Sequence, residues 1–249
     1  MSVRPLTTAI QCFEMLELIA AEARPVRLAD VARLVGKSRA TTFQRLLTLV
    51  TAGWVERLPG DTYRLSLTAS RIANAALDQA GFDERALPVL QDLTQATGET
   101  SSLVALENGR PVIVQRVEAR GVLRADLKVG AELSLTDSAS GKIWLTFGPE
   151  AALSRIDPAS AALLKETERA SIRAERVAQG GGGDTLKGIA VIAAPVLGAK
   201  GEAIASLSLV GPESRFDSDA LKAPLIRAAE TLGAVLGGRT GSARLPNSQ

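Results

Sequence analysis

Eight side chains in the first quarter of the chain have the types and spacing for contact with a nucleic acid: Lys37, Ser38, Arg39, Thr41, Thr42, Gln44, Arg45 and Arg57. A guanidinium can clamp guanine through two acceptors, a glutamine can do the same for adenine, and hydroxyl and ammonium groups bind phosphates. Which of them reads a base is left open by the sequence. Arg57 and Arg64 sit where a hairpin could carry them to an adjacent groove or backbone, adding affinity that salt would weaken. The bland alternative is a set of solvated charges on a module used for protein contact.

Other chemistry is scarce. The chain has no histidine, so mechanisms that use imidazole as base, shuttle or metal ligand are excluded, including Ser-His-Asp and Cys-His machinery. Cys12 is the single cysteine; it cannot form an intrachain disulfide, and on an apolar helical face it reads as a core residue. Any metal would need oxygen ligands. Glu118, Asp126 and Asp184 have no partner carboxylate at an informative spacing. No catalytic residue, metal site or cofactor is expected. The run Gly180 to Gly183 lacks the Lys-Ser/Thr that would follow in a phosphate loop, and reads as a flexible loop. The segment Asp137-Ser138-Ala139-Ser140-Gly141-Lys142 could open a helix with free amides, a place for a carboxylate, or be no more than a capped helix start.

The elements that must position these groups divide in two. Of 249 residues, 46% are hydrophobic and 22% charged, which fits a globular chain and excludes a disordered one. The net charge of +2 hides an asymmetry: residues 1–65 carry nine Lys/Arg against six Asp/Glu, the remainder twenty against twenty-one. Leu6, Ile10, Phe13, Leu16 and Ala20 recur at helical spacing up to Pro25. A two-turn helix with Leu28, Val31, Ala32 and Val35 inward stops at Gly36, and Ser38 caps a third helix with Phe43, Leu46, Leu47 and Val50 inward. Trp54 to Leu58, Pro59-Gly60-Asp61 and Thr62 to Leu65 then read as strand, turn, strand, the wing of a helix-turn-helix.

Residues 67–81 are predicted to form a linker helix, followed by another from Asp83 to Ala96. Beyond it, Leu103 to Leu106 and Val112 to Val117 flank Asn108-Gly109, a hairpin signal. Leu123, Ala125, Leu127 and Val129 alternate as in a half-buried strand. Helices are expected over 140–147 and 159–179, strands over 189–196 and 204–210, and a last helix through Leu221, Leu225, Ala228, Leu232 and Val235. Antiparallel strands with helices at the edges make the class α+β. The tail 241–249 reads as frayed. No signal peptide or membrane span is visible, so a cytoplasmic protein is expected.

With these pieces in order, the chain resembles the IclR family of bacterial transcriptional regulators. The likeness rests on Leu28 to Gly36, Thr41 to Leu49, Ala52 to Arg57 with Tyr63-Arg64-Leu65, Thr97 to Thr100, Val129-Gly130, Ser140-Gly141-Lys142, Gly188 to Val196, and Ser206 to Pro212. The resemblance implies a winged helix-turn-helix DNA-binding domain at 4–66, the linker helix at 67–81, and a GAF-like effector-binding domain at 82–240. It implies a homodimer or homotetramer on double-stranded operator DNA. The effector would be a small carboxylate or aromatic metabolite, held among Ala139, Ser140, Gly141, Asp184, Ile189, Val191, Ser208 and Val210. The arginine common in the family's recognition helix falls on Gln44, with Arg45 one place later, and either could take that role. Val191 and Val210 stand where some members are polar, which implies either a less polar ligand or fewer hydrogen bonds to orient one.

The expectation is therefore a ligand-responsive transcriptional regulator, a repressor of a small catabolic operon. An enzyme built on the second domain and a DNA-independent interaction module are the alternatives.

Overall fold

The computed structural model describes residues 4–22, 24–79, 85–119, 127–182 and 186–237. The chain separates into two compact units, Met1–Gln79 and Ala80–Gln249.

The first unit comprises α1 (Thr7–Ala21), β1 (Val26–Arg27), α2 (Leu28–Leu34), α3 (Arg39–Thr51), β2 (Val55–Leu58), β3 (Thr62–Leu65) and α4 (Thr68–Gln79). Its sheet has the order β1-β3-β2, antiparallel throughout. Met15, Ile19, Val26, Val31, Leu46, Leu49, Val55 and Tyr63 form the core. Two helical faces differ from expectation. On α1 the inward residues are Met15 and Ile19, while Leu6 is 78% and Phe13 59% exposed. At about 100° per residue, Leu6, Ile10 and Phe13 lie almost opposite Met15 and Ile19. Both sides of the helix are apolar, so periodicity alone chose the wrong one. On α3 the buried set is Thr42, Leu46 and Leu49, with Phe43 and Leu47 exposed, a rotation of one residue. The cause is Thr42, whose hydroxyl donates to Ser38 O at 3.0 Å and so can be buried satisfied.

The second unit begins with α5 (Ala86–Thr97), β4 (Thr100–Glu107) and β5 (Arg110–Val117), followed by α6 (Ala139–Phe147), α7 (Glu150–Leu153), α8 (Pro158–Ala162) and α9 (Glu166–Glu175). It ends with β6 (Ala178–Gly182), β7 (Leu186–Leu197), β8 (Ala203–Pro212) and α10 (Ser218–Gly237). One antiparallel sheet runs β5-β4-β8-β7-β6. The strands alternate, and each face has its own cover. Leu103, Ile192, Ala194, Leu207 and Leu209 pack with Leu90 and Leu93 of α5 and Leu225 and Leu232 of α10. Ala178 and Ala193 on the other face pack with Ala139, Ile143 and Leu145 of α6 and Ile172 of α9.

The Asn108-Gly109 hairpin forms as expected, with both residues at positive φ. The helix expected over 159–179 is instead α8, a break at Leu163 to Lys165, and α9, which stops at Arg176 in a left-handed cap. Arg169 holds the broken pieces, donating to the carbonyls of Leu145, Ala161 and Leu164. Gly180 to Gly182, read as a loop, lie in edge strand β6. Of the strand expected through Leu123 to Val129, residues 123–126 lie outside the described residues, and Leu127 to Gly130 are not strand, with Val129 and Gly130 in a turn. Gly183, Asp184 and the tail 241–249 also lie outside the described residues.

Glu99, just before β4, is buried against the sheet end and paired with Arg215 at 2.7 Å. Burial lifts its carboxyl above the ordinary range more than Arg215 lowers it. Folding therefore takes up a proton at this site, and its contribution to stability rises as pH falls from neutral through the raised value. Glu99→Gln is expected to raise the Tm at pH 7 and to flatten the Tm gain between pH 7 and 5, measured by calorimetry.

Candidate nucleic-acid interface and effector site

The turn between α2 and α3 is made by Gly36 in the left-handed region, φ 61°, where a side chain would be strained. Ser38 caps α3, its hydroxyl accepting from Thr41 N at 3.2 Å. Lys37, Ser38, Arg39 and Gln44 are exposed along the start of α3, and Thr41 is half-buried with its hydroxyl 2.9 Å from that of Ser38. Thr42, expected at the surface, is fully buried and serves the helix start. Arg45 is half-buried and donates to Gln11 Oε1 on α1. Its charge thus ties the two helices together.

Arg57 and Arg64 stand exposed on the β2–β3 hairpin, paired with Asp61 and Glu56 at 2.5 and 2.9 Å. Exposed pairs of this kind contribute little and exchange readily for other anions. Between α2, the start of α3 and the hairpin lies a cleft of about 220 Å³ lined by Arg27, Leu28, Arg39, Phe43, Arg57 and Tyr63 among others. Arg27 was missed by the sequence reading. β1, too short to show a period, carries it to the sheet edge beside β3, and its place just before α2 in a basic segment was the available signal.

In the second unit, the first turn of α6 lies on β6. Ser138 caps it, accepting from Gly141 N at 2.9 Å, and Ala139 and Ser140 are buried. A Cβ on Gly180 would run into Ala139 N; the glycine lets the helix start rest on the strand. Gly180 pairs with Val191, Val191 with Val210, and one rung further Ala193 pairs with Ser208. Ala139, Val191, Ser208 and Val210 are thus gathered on the α6 side of the sheet. Ile189 lies on the same side near the strand end, opposite Pro212, and Asp184 lies outside the described residues. Lys142 of α6 is engaged with Glu168 at 2.8 Å.

Ser102, Arg116 and Ser206, also on this face by register, were missed. The alternation in Ser206-Leu207-Ser208-Leu209-Val210 carried the signal for Ser206. Arg116 could be placed only once its partner strand was known. A separate groove of about 440 Å³ beneath the β4–β5 turn is crossed by the Arg110–Glu132 pair at 2.6 Å, and its lining includes none of the expected effector residues. Among the described residues no group of His, Cys, Asp and Glu could hold a metal ion, and no helix is long and apolar enough to cross a membrane.

Residues 12–59 match the IclR helix-turn-helix domain, and residues 74–234 match the C-terminal domain of the bacterial transcriptional regulator IclR. The chain belongs to the IclR family. The glycerol operon regulatory protein of Streptomyces griseus is 30% identical over 92% of this chain and 94% of its own. The HTH-type transcriptional regulator BhcR of Paracoccus denitrificans is 29% identical over 89% and 82%. The fold is shared with an IclR homologue from Microbacterium hydrocarbonoxydans, solved with 4-hydroxybenzoate, at a TM-score of 0.74 and 21% identity over 92% of this chain and 98% of that one. As an IclR-family member, this chain is a transcriptional regulator with a helix-turn-helix DNA-binding domain and an effector-binding C-terminal domain, and not an enzyme.

Proposed function

We propose that this IclR-family regulator is a cytoplasmic repressor of a small catabolic operon, released from or repositioned on its operator by a small organic acid or aromatic metabolite. The observation that carries the reading is the cleft in which Arg27, Arg39 and Arg57, from three different elements, line one concave surface beside the exposed start of α3. Three guanidiniums so placed suit a phosphate backbone, with Lys37, Ser38, Thr41 and Gln44 available beside them.

Residues 4–66 are the reader, 67–81 the linker helix and 82–240 the sensor. The effector lies against Ala139, Ser140, Gly141, Ile189, Val191, Ser208 and Val210, with Asp184 close by in sequence. An operon regulator among the relatives and an aromatic acid on a protein of the same fold support the operon and effector classes. The protein acts as a homodimer or homotetramer. The exposed apolar side of α1, with Leu6, Ile10 and Phe13, is a surface a second copy would cover.

Footprinting of the purified protein upstream of the neighbouring operon tests the reading. A protected two-fold site whose occupancy changes with a small acid is expected; absence of protection at physiological salt would sink it. An acid at a hundred times its Kd should also stabilise the protein by about 2.7 kcal/mol.

A further inference from the structure

Resting on the operator reading above, we propose that α3 selects A·T pairs: Gln44 takes an adenine, Ala40, Phe43 and Leu47 pack on thymine methyl groups, and Arg45 stays out of the groove. The starting point is the one-residue rotation of α3. Because Thr42 takes an inward place, Phe43 and Leu47 turn outward and are 38% and 51% exposed. Ala40, Phe43, Gln44 and Leu47 stand at i, i+3, i+4 and i+7, one continuous stripe, and all four are exposed. Arg45 lies off this stripe, half-buried and bound to Gln11. Thr48 and Thr51 spend their hydroxyls on the carbonyls of Gln44 and Leu47, at 3.0 and 2.8 Å. The side-chain amide of Gln44 makes no hydrogen bond among the described residues. The stripe therefore offers one open amide among apolar groups.

Large apolar side chains left in water mark a contact surface, and the chemistry around them decides the occupant. No acidic residue lies between Asp30 and Glu56, whereas Arg33, Lys37, Arg39 and Arg45 do, so the surroundings suit a polyanion. A second copy laid on the stripe would bring Lys37 and Arg39 against like charges. Phe43 also lines the cleft that carries Arg27, Arg39 and Arg57, which makes the stripe continuous with the surface proposed for phosphates. Of the groups that distinguish bases in the major groove, only the thymine C5 methyl is apolar. Phe43 or Leu47 pressed on any of the others would strip water from a polar edge and leave it without a hydrogen bond. An amide that both donates and accepts matches adenine N6 and N7, and adenine and thymine are the two halves of one pair. From Ala40 to Leu47 the helix rises about 10 Å, the height of about three base pairs. The target is thus a short A·T run in each half-site.

The test selects duplexes from a randomised pool with the full-length protein, then replaces the thymines of the selected half-site by deoxyuridine. That change removes the methyl groups and leaves the protein, the charges and the base pairing as they were, so its result needs no variant to fold. Each methyl buried against α3 should cost the unaltered protein about 4-fold in affinity when it is removed, from the burial of one carbon. Phe43→Ala and Leu47→Ala should bind the thymine duplex less tightly and be insensitive to deoxyuridine at the position each covers. Gln44→Ala should lose about 10-fold of its preference for adenine; circular dichroism checks that the variants fold. If the unaltered protein binds deoxyuridine and thymine duplexes equally, the proposal is overturned while the operator reading stands, since a specific duplex was still selected. A selected half-site of G·C pairs has the same meaning. If Phe43→Ala and Leu47→Ala change the oligomeric state in sedimentation and leave the discrimination intact, the stripe is a protein contact and the proposal is wrong. Selection of no specific duplex at physiological salt would overturn the operator reading and this proposal with it.

Discussion

Replacing Arg27, Arg39 and Arg57 together by alanine is expected to weaken operator binding at least about 100-fold, with the fold of the first unit intact. The three side chains line one cleft but are exposed, and none belongs to the core built on Met15, Leu46 and Tyr63. A guanidinium that reads a base edge contributes about 1–3 kcal/mol and its specificity, while one that neutralises a phosphate lowers the salt slope by about one. Titrations at several salt concentrations on operator and scrambled DNA therefore separate the roles. Loss on both DNAs with a slope lower by about three means backbone contact at all three sites; loss confined to the operator means base reading. Unchanged affinity would place the interface elsewhere. Arg45→Ala should behave differently. Its bond to Gln11 joins α3 to α1, so the expected loss is about 1 kcal/mol of stability, seen in melting before it is seen in binding.

That contrast marks where the sequence was legible. The wing, the α2–α3 turn and the Asn108-Gly109 hairpin depend on local chemistry, a capping hydroxyl or residues that tolerate positive φ, and such chemistry is written in consecutive residues. Most strands and helices followed from their alternation, but β1, β6 and the break between α8 and α9 did not. What failed was the choice between two apolar faces. α1 has one on each side, and only the neighbours Val31, Leu46 and Tyr63 decide that Met15 and Ile19 turn inward. Thr42 was misplaced because a threonine looks like surface until its hydroxyl finds the carbonyl of Ser38. Arg116 acquired its place only through cross-strand register, which no single-segment pattern contains. The linear reading thus supplied the caps, the turns and the residues of β7 and β8, and missed side chains such as Ser102 and Arg116 that only cross-strand register brings to the same face.

The glycine run shows the same limit and carries the second large effect. Gly180 to Gly182 look like a loop because three small residues have no period, yet they pair with β7 as the edge strand. The physical reason for Gly180 is the close approach of α6: a Cβ there would strike Ala139 N and come within 2.8 Å of Asp137 O. Both are backbone atoms of a capped helix start and cannot swing aside as a side chain would. Gly180→Ala is therefore expected to cost about 2 kcal/mol and to lower the Tm of the second unit by about 4–8 °C. It should also weaken acid binding, by lifting the first turn of α6 away from Val191 and Val210. The chain carries its own reporters, since Trp54 lies in the first unit and Trp144 in the second. In a Trp54→Phe background the fluorescence melt should shift with Gly180→Ala; in a Trp144→Phe background the remaining Trp54 should melt as before. A shift in neither would mean that α6 relaxes freely over β6, and the close packing inferred at the helix start would be wrong.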